Sequence, residues 1–483
     1  MRQFHSKVRI DLDAGGSYTG VVPPIFREPL HTAYQHSLAY LDRLDSLPVA
    51  PTASLDELRG LLRKALTNEG LPPEQVIDEL VRDVEGGIVT STCGRFFGWV
   101  VGGALPAALA ADWLTATWDQ NAGLYAAGPA AAIVEEVAGA WLKDIFGLPA
   151  QASFALVTGC QMAHVTGLAA ARHGLLARHD WDVEQRGLFG APPIRILSSS
   201  ERHGTAERAI RLLGIGLQQV TYLPIDSLGR LRADALQQAL ESNGDRPVIV
   251  LLQAGDVNIG AFDDFQTLIP IAHRHGAWVH VDGAFGLWAT ASPRYRHLTA
   301  GIDTADSWAT DGHKWLNVPY DCGYAFITDT EAHRASVSYR APYLTHDSQA
   351  RDQMDWTPEW SRRARGFPTY AALRQLGRNG VTELVDRCCR HAHELATRIG
   401  ALPGAELLSE PIINQGLVAF GGRTDEVIAA ILATGEAFFG GTTWRGRRAM
   451  RISVSNWQTS EADVDRAVNA VAGVLARRTA VPV

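Results

Sequence analysis

Cysteine is scarce in this chain of 483 residues: there are five, and no two stand in a C-x-x-C spacing. Cys93, Cys160, Cys322, Cys388 and Cys389 also form no Cys/His clamp of the kind that holds zinc, so no metal site is expected. The neighbouring Cys388 and Cys389 would make a strained disulfide, and free thiols in a reducing compartment fit better. Basic charge in excess is absent too. Lys and Arg number 44 against 52 Asp and Glu, a net charge of −8, which argues against a nucleic-acid partner. Long apolar runs are missing. The most apolar stretch, Val100 to Ala111, is interrupted by Pro106 and closed by Asp112, short of the roughly 18 residues a spanning helix needs. The first residues, MRQFHSKVRIDLD, are charged and without an apolar centre, so no secretory signal is read there. These absences point to a soluble cytoplasmic protein that makes no use of a membrane.

Hydrophobic residues make up 46% and charged residues 20%, enough apolar surface for a large core, and the length predicts two or three domains. Residues 1–85 read as mainly helical: Tyr34–Leu44 and Leu55–Leu66 carry apolar residues at three- and four-residue spacing. That segment is too small for a core of its own and is expected to pack on a second subunit. An α/β pattern follows over 86–368. Ser153–Thr158, Ile194–Ser198, Gln219–Leu223, Val248–Gln253, Ala277–Val281, Asp303–Trp308 and Tyr324–Thr328 read as buried strands between helical stretches. Such a pattern predicts a mostly parallel sheet covered on both faces. From Thr369 a long helix, two strands and two further helices predict a small α+β domain over 369–483.

Ligands of open α/β sheets bind beyond the carboxyl ends of the strands, so the residues just after each strand matter most. Asp282, Gly283 and Ala284 follow one strand, and Ala309–Trp315, which contains His313 and Lys314, follows another. Ser199–Gly204, with His203, follows a third. Gly159, Cys160 and Gln161 open a helix after a fourth. An acid, a lysine, a histidine and a helix amino terminus on one edge form the inventory that pyridoxal 5′-phosphate (PLP) requires. The acid keeps the pyridine nitrogen protonated. The lysine supplies an amine, made nucleophilic by partial desolvation and cationic neighbours. The histidine stacks on the ring, and the helix start offers N–H groups to the phosphate. Singly, each has a blander reading: Asp282 as a helix cap, His203 as a capping residue, the His-Lys pair as surface.

His280–Phe285 (HVDGAF) and Ala305–Gly323 (ADSWATDGHKWLNVPYDCG) resemble the group II PLP-dependent decarboxylases of fold type I. That family includes the aromatic-amino-acid, glutamate, histidine and tyrosine decarboxylases. The resemblance spans nearly the whole chain. Cys93–Trp99 (CGRFFGW) is similar to the family's segment at the substrate mouth, Gly128-Pro129-Ala130 with Glu135 to its S-P-A…E, Ser200–Arg208 to the segment bearing the ring-stacking histidine, and Met450–Trp457 (MRISVSNW) to its carboxy-terminal strand. The resemblance implies Lys314 as the Schiff-base lysine, Asp282 as the partner of the pyridine nitrogen and His203 as the stacking residue. It implies Ala284 on the ring's other face and Ser307 and His313 at the phosphate. Cys160 and Gln161 stand where the family has a small residue and Ser or Thr, so the phosphate cup is rearranged. It also implies a homodimer with the active site at the subunit interface.

The implied reaction is decarboxylation of an L-amino acid to the amine and carbon dioxide. Phe96, Phe97 and Trp118 are candidate contacts for an apolar or aromatic side chain, or else plain core aromatics. In many relatives a mobile loop after the lysine carries a tyrosine that returns a proton to the α-carbon. Here the loop is Tyr339–Arg362, its tyrosine position falls near Gln353, and Asp347–Asp355 is expected to be mobile. Either Tyr343 or His346 serves instead, or the product changes. The alternatives are oxidative decarboxylation with deamination to an aldehyde, a C–C lyase or aldolase step, or a transaminase-like step. A PLP-binding relative without turnover is a further possibility.

Overall fold

The computed structural model describes residues 24–339 and 350–479. They fall into two compact units divided between Thr90 and Ser91. The first holds helices α1 (Pro24–Asp42), α2 (Leu55–Leu62) and α3 (Pro73–Val84), with α1 and α2 both packed on α3. The start of α2 is a capping box. Ser54 accepts from the Glu57 N–H at 3.3 Å, and the Glu57 carboxylate accepts from the Ser54 N–H at 2.7 Å, satisfying two helix-start donors at once. Helix α3 opens on Pro73, where the missing N–H costs nothing.

The second unit is built on seven strands: β1 (Ser153–Val157), β2 (Arg195–Ser199), β3 (Val220–Leu223), β4 (Val248–Gln253), β5 (Trp278–Asp282), β6 (Ser307–Asp311) and β7 (Gly323–Ile327). Their order is β1-β7-β6-β5-β4-β2-β3. The run from β6 to β3 is parallel, whereas β7 is antiparallel to both β6 and β1. Two reversals return β1 to the direction of β6, so the carboxyl ends of β1, β5 and β6 share an edge. Helices α4 (Pro106–Trp118), α5 (Pro129–Ile145), α6 (Cys160–Ala177), α7 (Val183–Arg186), α8 (Gly204–Leu212), α9 (Ala233–Glu241), α10 (Phe265–Arg274) and α11 (Thr330–Val337) accompany the sheet.

Both faces are covered, which the period of two makes visible. Val248, Val250 and Leu252 of β4 enter one core, and Ile249 and Leu251 enter the other. The second core takes Ala163, Leu168 and Leu175 from α6 and Ile210 from α8. The first takes Trp288, Trp308 and Trp315 together with much of α12 (Gly366–Gly400). That helix is kinked at Gly377, whose φ of 59° is non-helical.

After α12 come β8 (Glu406–Ser409), β9 (Gln415–Ala419), α13 (Thr424–Leu432), β10 (Gly440–Trp444), β11 (Arg447–Ser453) and α14 (Glu461–Thr479). The four strands form an antiparallel sheet in the order β10-β11-β9-β8. Together the two sheets and their helices are the fold type I architecture. Among the described residues, no helix is long and apolar enough to cross a membrane.

One strand boundary differs from the sequence reading, with consequences for the site. The strand expected over 303–308 runs from Ser307 to Asp311, and 302–304 form a 3-10 turn. Trp308 closes back on that turn through an Nε1–H bond to the Ile302 carbonyl at 2.9 Å. The carboxyl end of β6 is therefore Asp311, not Trp308.

Candidate active site

Asp311 organises the edge. Its Oδ2 lies 2.9 Å from Lys314 Nζ, its Oδ1 accepts the Cys160 N–H at 2.5 Å, and His313 Nε2 lies 3.4 Å from that same Oδ1. The first N–H groups of α6 have no partner within the helix, and the one on Cys160 is thus held by a carboxylate from the end of β6. His313 accepts the Cys322 N–H on Nδ1 at 3.1 Å, which leaves its hydrogen on Nε2, toward Asp311. The ring stacks on Tyr320 with centroids 4.2 Å apart.

Lys314 does not have the lowered pKa expected from desolvation and cationic neighbours. Burial does act downward, but the adjacent Asp311 carboxylate outweighs it and holds the amine above its ordinary value. Lysine is itself rare: the chain has four, at 7, 64, 143 and 314. Lys64 is paired with Glu79 and Asp83, and Lys143 donates to the Ala150 and Ala152 carbonyls. Lys7 lies outside the described residues.

Asp282 ends β5. It takes the Ala284 N–H on Oδ1 at 3.1 Å, and His164 Nε2 stands 3.5 Å from its Oδ2. Burial alone would raise the carboxyl, but His164, His203 and Lys314 together hold it well below the usual range. It is an anion within the electrostatic reach of both Lys314 and His203. Cys160 Sγ is 3.9 Å from Asp282 Oδ1 and 3.4 Å from His164 Nε2, and burial pushes the thiol well up. Cys160, His164 and Asp282 offer donor atoms within 4.8 Å of one another, a grouping that the Cys-x-x-x-His spacing on α6 signals and that the zinc-spacing search passed over. Gln161 is the second residue of α6 and half-buried.

His203 is the N-cap of α8. Its Nδ1 accepts from the Thr205 N–H at 3.3 Å and the Thr205 hydroxyl at 2.7 Å, so the capping reading holds while the ring face stays exposed. Burial sets its pKa below the ordinary value, with Lys314 acting the same way and Asp282 opposing.

Ser307 is not at this edge. It begins β6, four residues before Asp311 and about 13 Å away along a strand. It is wholly buried, its oxygen accepting from Trp278 Nε1–H and lying 2.8 Å from His280 Nδ1. The phosphate contact expected of it is corrected accordingly. Phe97 is likewise a core residue: fully buried, its N–H bonded to the Phe438 carbonyl at 2.9 Å and its ring stacked on Phe439 at 5.3 Å. Phe96 is buried against Phe438 at 4.6 Å, and Trp118, exposed on α4, meets Phe367 edge-on at 4.9 Å. No hydrogen bond or cation–π contact joins these three to Lys314 among the described residues.

Trp99 is 57% exposed with a φ of 50°, its ring 5.9 Å from Phe96 and 5.2 Å from Phe438. Downstream of it the chain runs directly against the lysine segment. The Gly102 N–H reaches the His313 carbonyl at 3.3 Å, and a β-carbon on Gly102 would overlap the Lys314 carbonyl oxygen.

Gln353 also departs from expectation. It is completely buried, with its Nε2–H on the Ala132 carbonyl at 3.1 Å, and Asp352, Met354 and Asp355 are buried beside it. An internal amide holding α5 occupies no mobile loop position, so Gln353 does not stand in for a proton-donating tyrosine. Tyr343 and His346 lie outside the described residues.

Arg451 on β11 is a cation that the sequence reading quoted without a role. Burial lowers its pKa against the pull of Asp256, and it acts electrostatically on His203. Among the described residues no carboxylate lies within ion-pair distance of it.

Residues 56–422 match the pyridoxal-dependent decarboxylase conserved domain. The aromatic-L-amino-acid decarboxylase of Bacillus atrophaeus is 26% identical over 388 residues, covering 79% of this chain and 78% of that protein. The cysteine sulfinic acid decarboxylase of Mus musculus is 28% identical over 364 residues, 74% of this chain and 73% of the relative. The structure of Oryza sativa TDC with PLP and tryptamine superposes with a TM-score of 0.88 over 96% of this chain and 100% of that one, at 22% identity. The donor set fits PLP in kind: an amine, an anionic carboxylate, a stacking-competent imidazole and a helix start. The chain belongs to the pyridoxal-dependent decarboxylase family, and it is a PLP-dependent amino-acid decarboxylase.

Proposed function

We propose that Lys314 holds PLP covalently, Asp282 keeps its ring nitrogen protonated, His203 covers one ring face and Ala284 the other, and the phosphate, in place of the Asp311 carboxylate, is received by His313 and the start of α6 (Cys160 and Gln161). Bound there, PLP supplies an electron sink for the pair left on the α-carbon when carbon dioxide departs. The protein's own part is to orient and to move protons. Asp282, an anion within reach of Lys314, carries this reading. The reaction releases carbon dioxide and returns one proton to the α-carbon, giving the amine. With Gln353 inside the core, the aldehyde reading that rested on it loses its support.

Arg451 is the group we assign to the substrate's carboxylate, since a half-buried guanidinium with no carboxylate within ion-pair distance among the described residues offers its donors to an anion. Trp99 is assigned as an aromatic of the substrate mouth, exposed and in the segment that runs on to Gly102 beside Lys314. A panel of amino acids, assayed by mass spectrometry of products and trapping of carbon dioxide, tests the reaction; transamination or aldehyde products without amine overturn it. In the same assay Arg451→Gln should raise KM on the order of ten- to a hundredfold, the worth of a charge-assisted bond. An unchanged KM removes Arg451 from the substrate site.

Asp311 controls how readily the lysine reacts. Only the free amine captures PLP, and below its pKa each unit by which that pKa falls raises the free fraction about tenfold. Asp311→Asn removes the carboxylate that holds Lys314 up. Covalent capture of PLP should therefore be faster in the variant at pH 7, with the advantage fading at high pH where both amines are free. Stopped-flow absorbance across pH checks this; equal rates at pH 7 would show that Asp311 does not govern the lysine.

We further propose a cytoplasmic homodimer. Five buried thiols, none paired in a disulfide, fit a reducing compartment. Exposed Ile25, Phe26, Leu30 and Leu38 on α1 form an apolar surface that a second copy would cover. Sedimentation of the full chain distinguishes dimer from monomer.

A further inference from the structure

Behind Asp282 a line of polar side chains runs away from the sheet edge, sealed from solvent. His164, His280, Ser307 and Trp278 are each buried to within 1%. His164 Nε2 stands 3.5 Å from Asp282 Oδ2, and its Nδ1 is 2.9 Å from His280 Nε2. His280 Nδ1 is 2.8 Å from Ser307 Oγ, which accepts from Trp278 Nε1–H at 2.8 Å. The line reaches from the amino end of β6 to the carboxyl end of β5, and α6 makes room for it. A β-carbon on Gly167 would come within 2.8 Å of the His280 ring.

The direction of every hydrogen bond follows from the two ends. An indole N–H only donates, so Ser307 Oγ accepts from Trp278. Its own hydrogen then has one acceptor among the described residues, His280 Nδ1. His280 therefore carries its hydrogen on Nε2 and donates to His164 Nδ1. That nitrogen must be bare, so the hydrogen of His164 is on Nε2, facing Asp282. The reverse order would leave the serine hydrogen without a partner and turn the bare Nε2 of His164 toward the carboxylate, with only the weakly donating Cys160 thiol, 3.4 Å away, to meet it. A doubly protonated His164 would set two hydrogens against each other between the rings.

We propose that Trp278, Ser307, His280 and His164 form a one-way donor chain that presents a neutral imidazole N–H to Asp282, fixing the carboxylate in place and thereby setting the protonation of the cofactor's ring nitrogen. The proposal rests on the reading of Asp282 as the ring-nitrogen partner. A neutral donor orients the carboxylate while leaving its full negative charge for the pyridinium. An imidazolium would share that charge and weaken the carboxylate's hold on the ring proton. His164 is on this account a positioning residue. Burial, which pushes the His280 pKa down to about 3, acts in the same sense by keeping that ring neutral.

Two measurements test it. In histidine-labelled protein, two-bond ¹H–¹⁵N correlations report the tautomers directly. Both His164 and His280 should be neutral with the hydrogen on Nε2, and Ser307→Ala should release His280 into a mixture. A hydrogen on His280 Nδ1, or an imidazolium at His164, overturns the proposal without any variant. In holoenzyme reconstituted with ¹⁵N-labelled PLP, the ring nitrogen should read protonated in wild type and in His164→Gln, whose amide still donates. It should shift toward the bare pyridine value in His164→Phe. In the latter, kcat should fall about ten- to a hundredfold, as for partners behind a liganding group, with KM little moved and His164→Gln recovering most of the loss. An unmoved ring nitrogen in Asp282→Ala refutes the placement of Asp282. A shift there with none in His164→Phe refutes the donor chain alone.

Discussion

Lys314→Ala is expected to fold, to bind PLP without a covalent bond and to lose at least about a thousandfold in turnover, the scale of removing a group that both bonds and transfers protons. Folding should survive because Asp311 keeps two partners, the Cys160 N–H and His313. The lost ion pair leaves a carboxylate short of one donor, a cost of about 1–3 kcal/mol. Lys64 and Lys143 are engaged elsewhere, so neither substitutes. Borohydride treatment followed by peptide mass spectrometry should find reduced cofactor on Lys314 in wild type and on no lysine in the variant. Cofactor fixed to another lysine in the wild type would refute the assignment.

Asp282→Asn should keep its cofactor and lose on the order of a thousandfold in kcat, comparable with removing a principal electrostatic stabiliser. The amide keeps the shape and one acceptor for the Ala284 N–H, but it cannot hold a proton on a pyridine nitrogen. PLP methylated on that nitrogen carries the charge permanently and should restore part of the rate in the variant. Full activity in Asp282→Asn, or no response to the methylated cofactor, would show that the ring lies elsewhere.

The large features were legible in the sequence because they follow from periodicity. Buried strands such as Val248–Gln253 are continuous apolar runs, and the helical stretch from Leu55 shows in the spacing of its apolar residues. Site residues at strand ends were legible wherever the end was. β6 shows the limit. Its run of Ser, Trp, Ala, Thr and Asp carries no turn residue to mark where it starts or stops, so its boundary slipped by three residues. Asp311 was therefore quoted without a role, while Ser307 was put at the phosphate by the resemblance and not by its place on the strand. His164 and Arg451 were missed for another reason. Each is identified by what lies across from it, the first by a carboxylate at the end of β5 and the second by the lack of one; the Cys-x-x-x-His spacing on α6 marks His164 but not its partner, and nothing near Arg451 marks it. Gln353 misled because a polar, aperiodic stretch reads as a surface loop, whereas here it is an internal brace whose amide holds the Ala132 carbonyl. Phe97 misled in the opposite sense, an aromatic in a functional segment that serves packing alone.

The close approach of Gly102 to Lys314 bears on how such a protein can change over generations. No side chain fits at position 102 without shifting the backbone that carries Lys314, so a change there should be tolerated only together with a change in the lysine's placement. Trp99 stands three residues earlier and is 57% exposed. Selection for a new substrate side chain should accumulate its changes there, while Arg451, assigned to a carboxylate that every amino acid carries, and the proposed cofactor edge stay as they are.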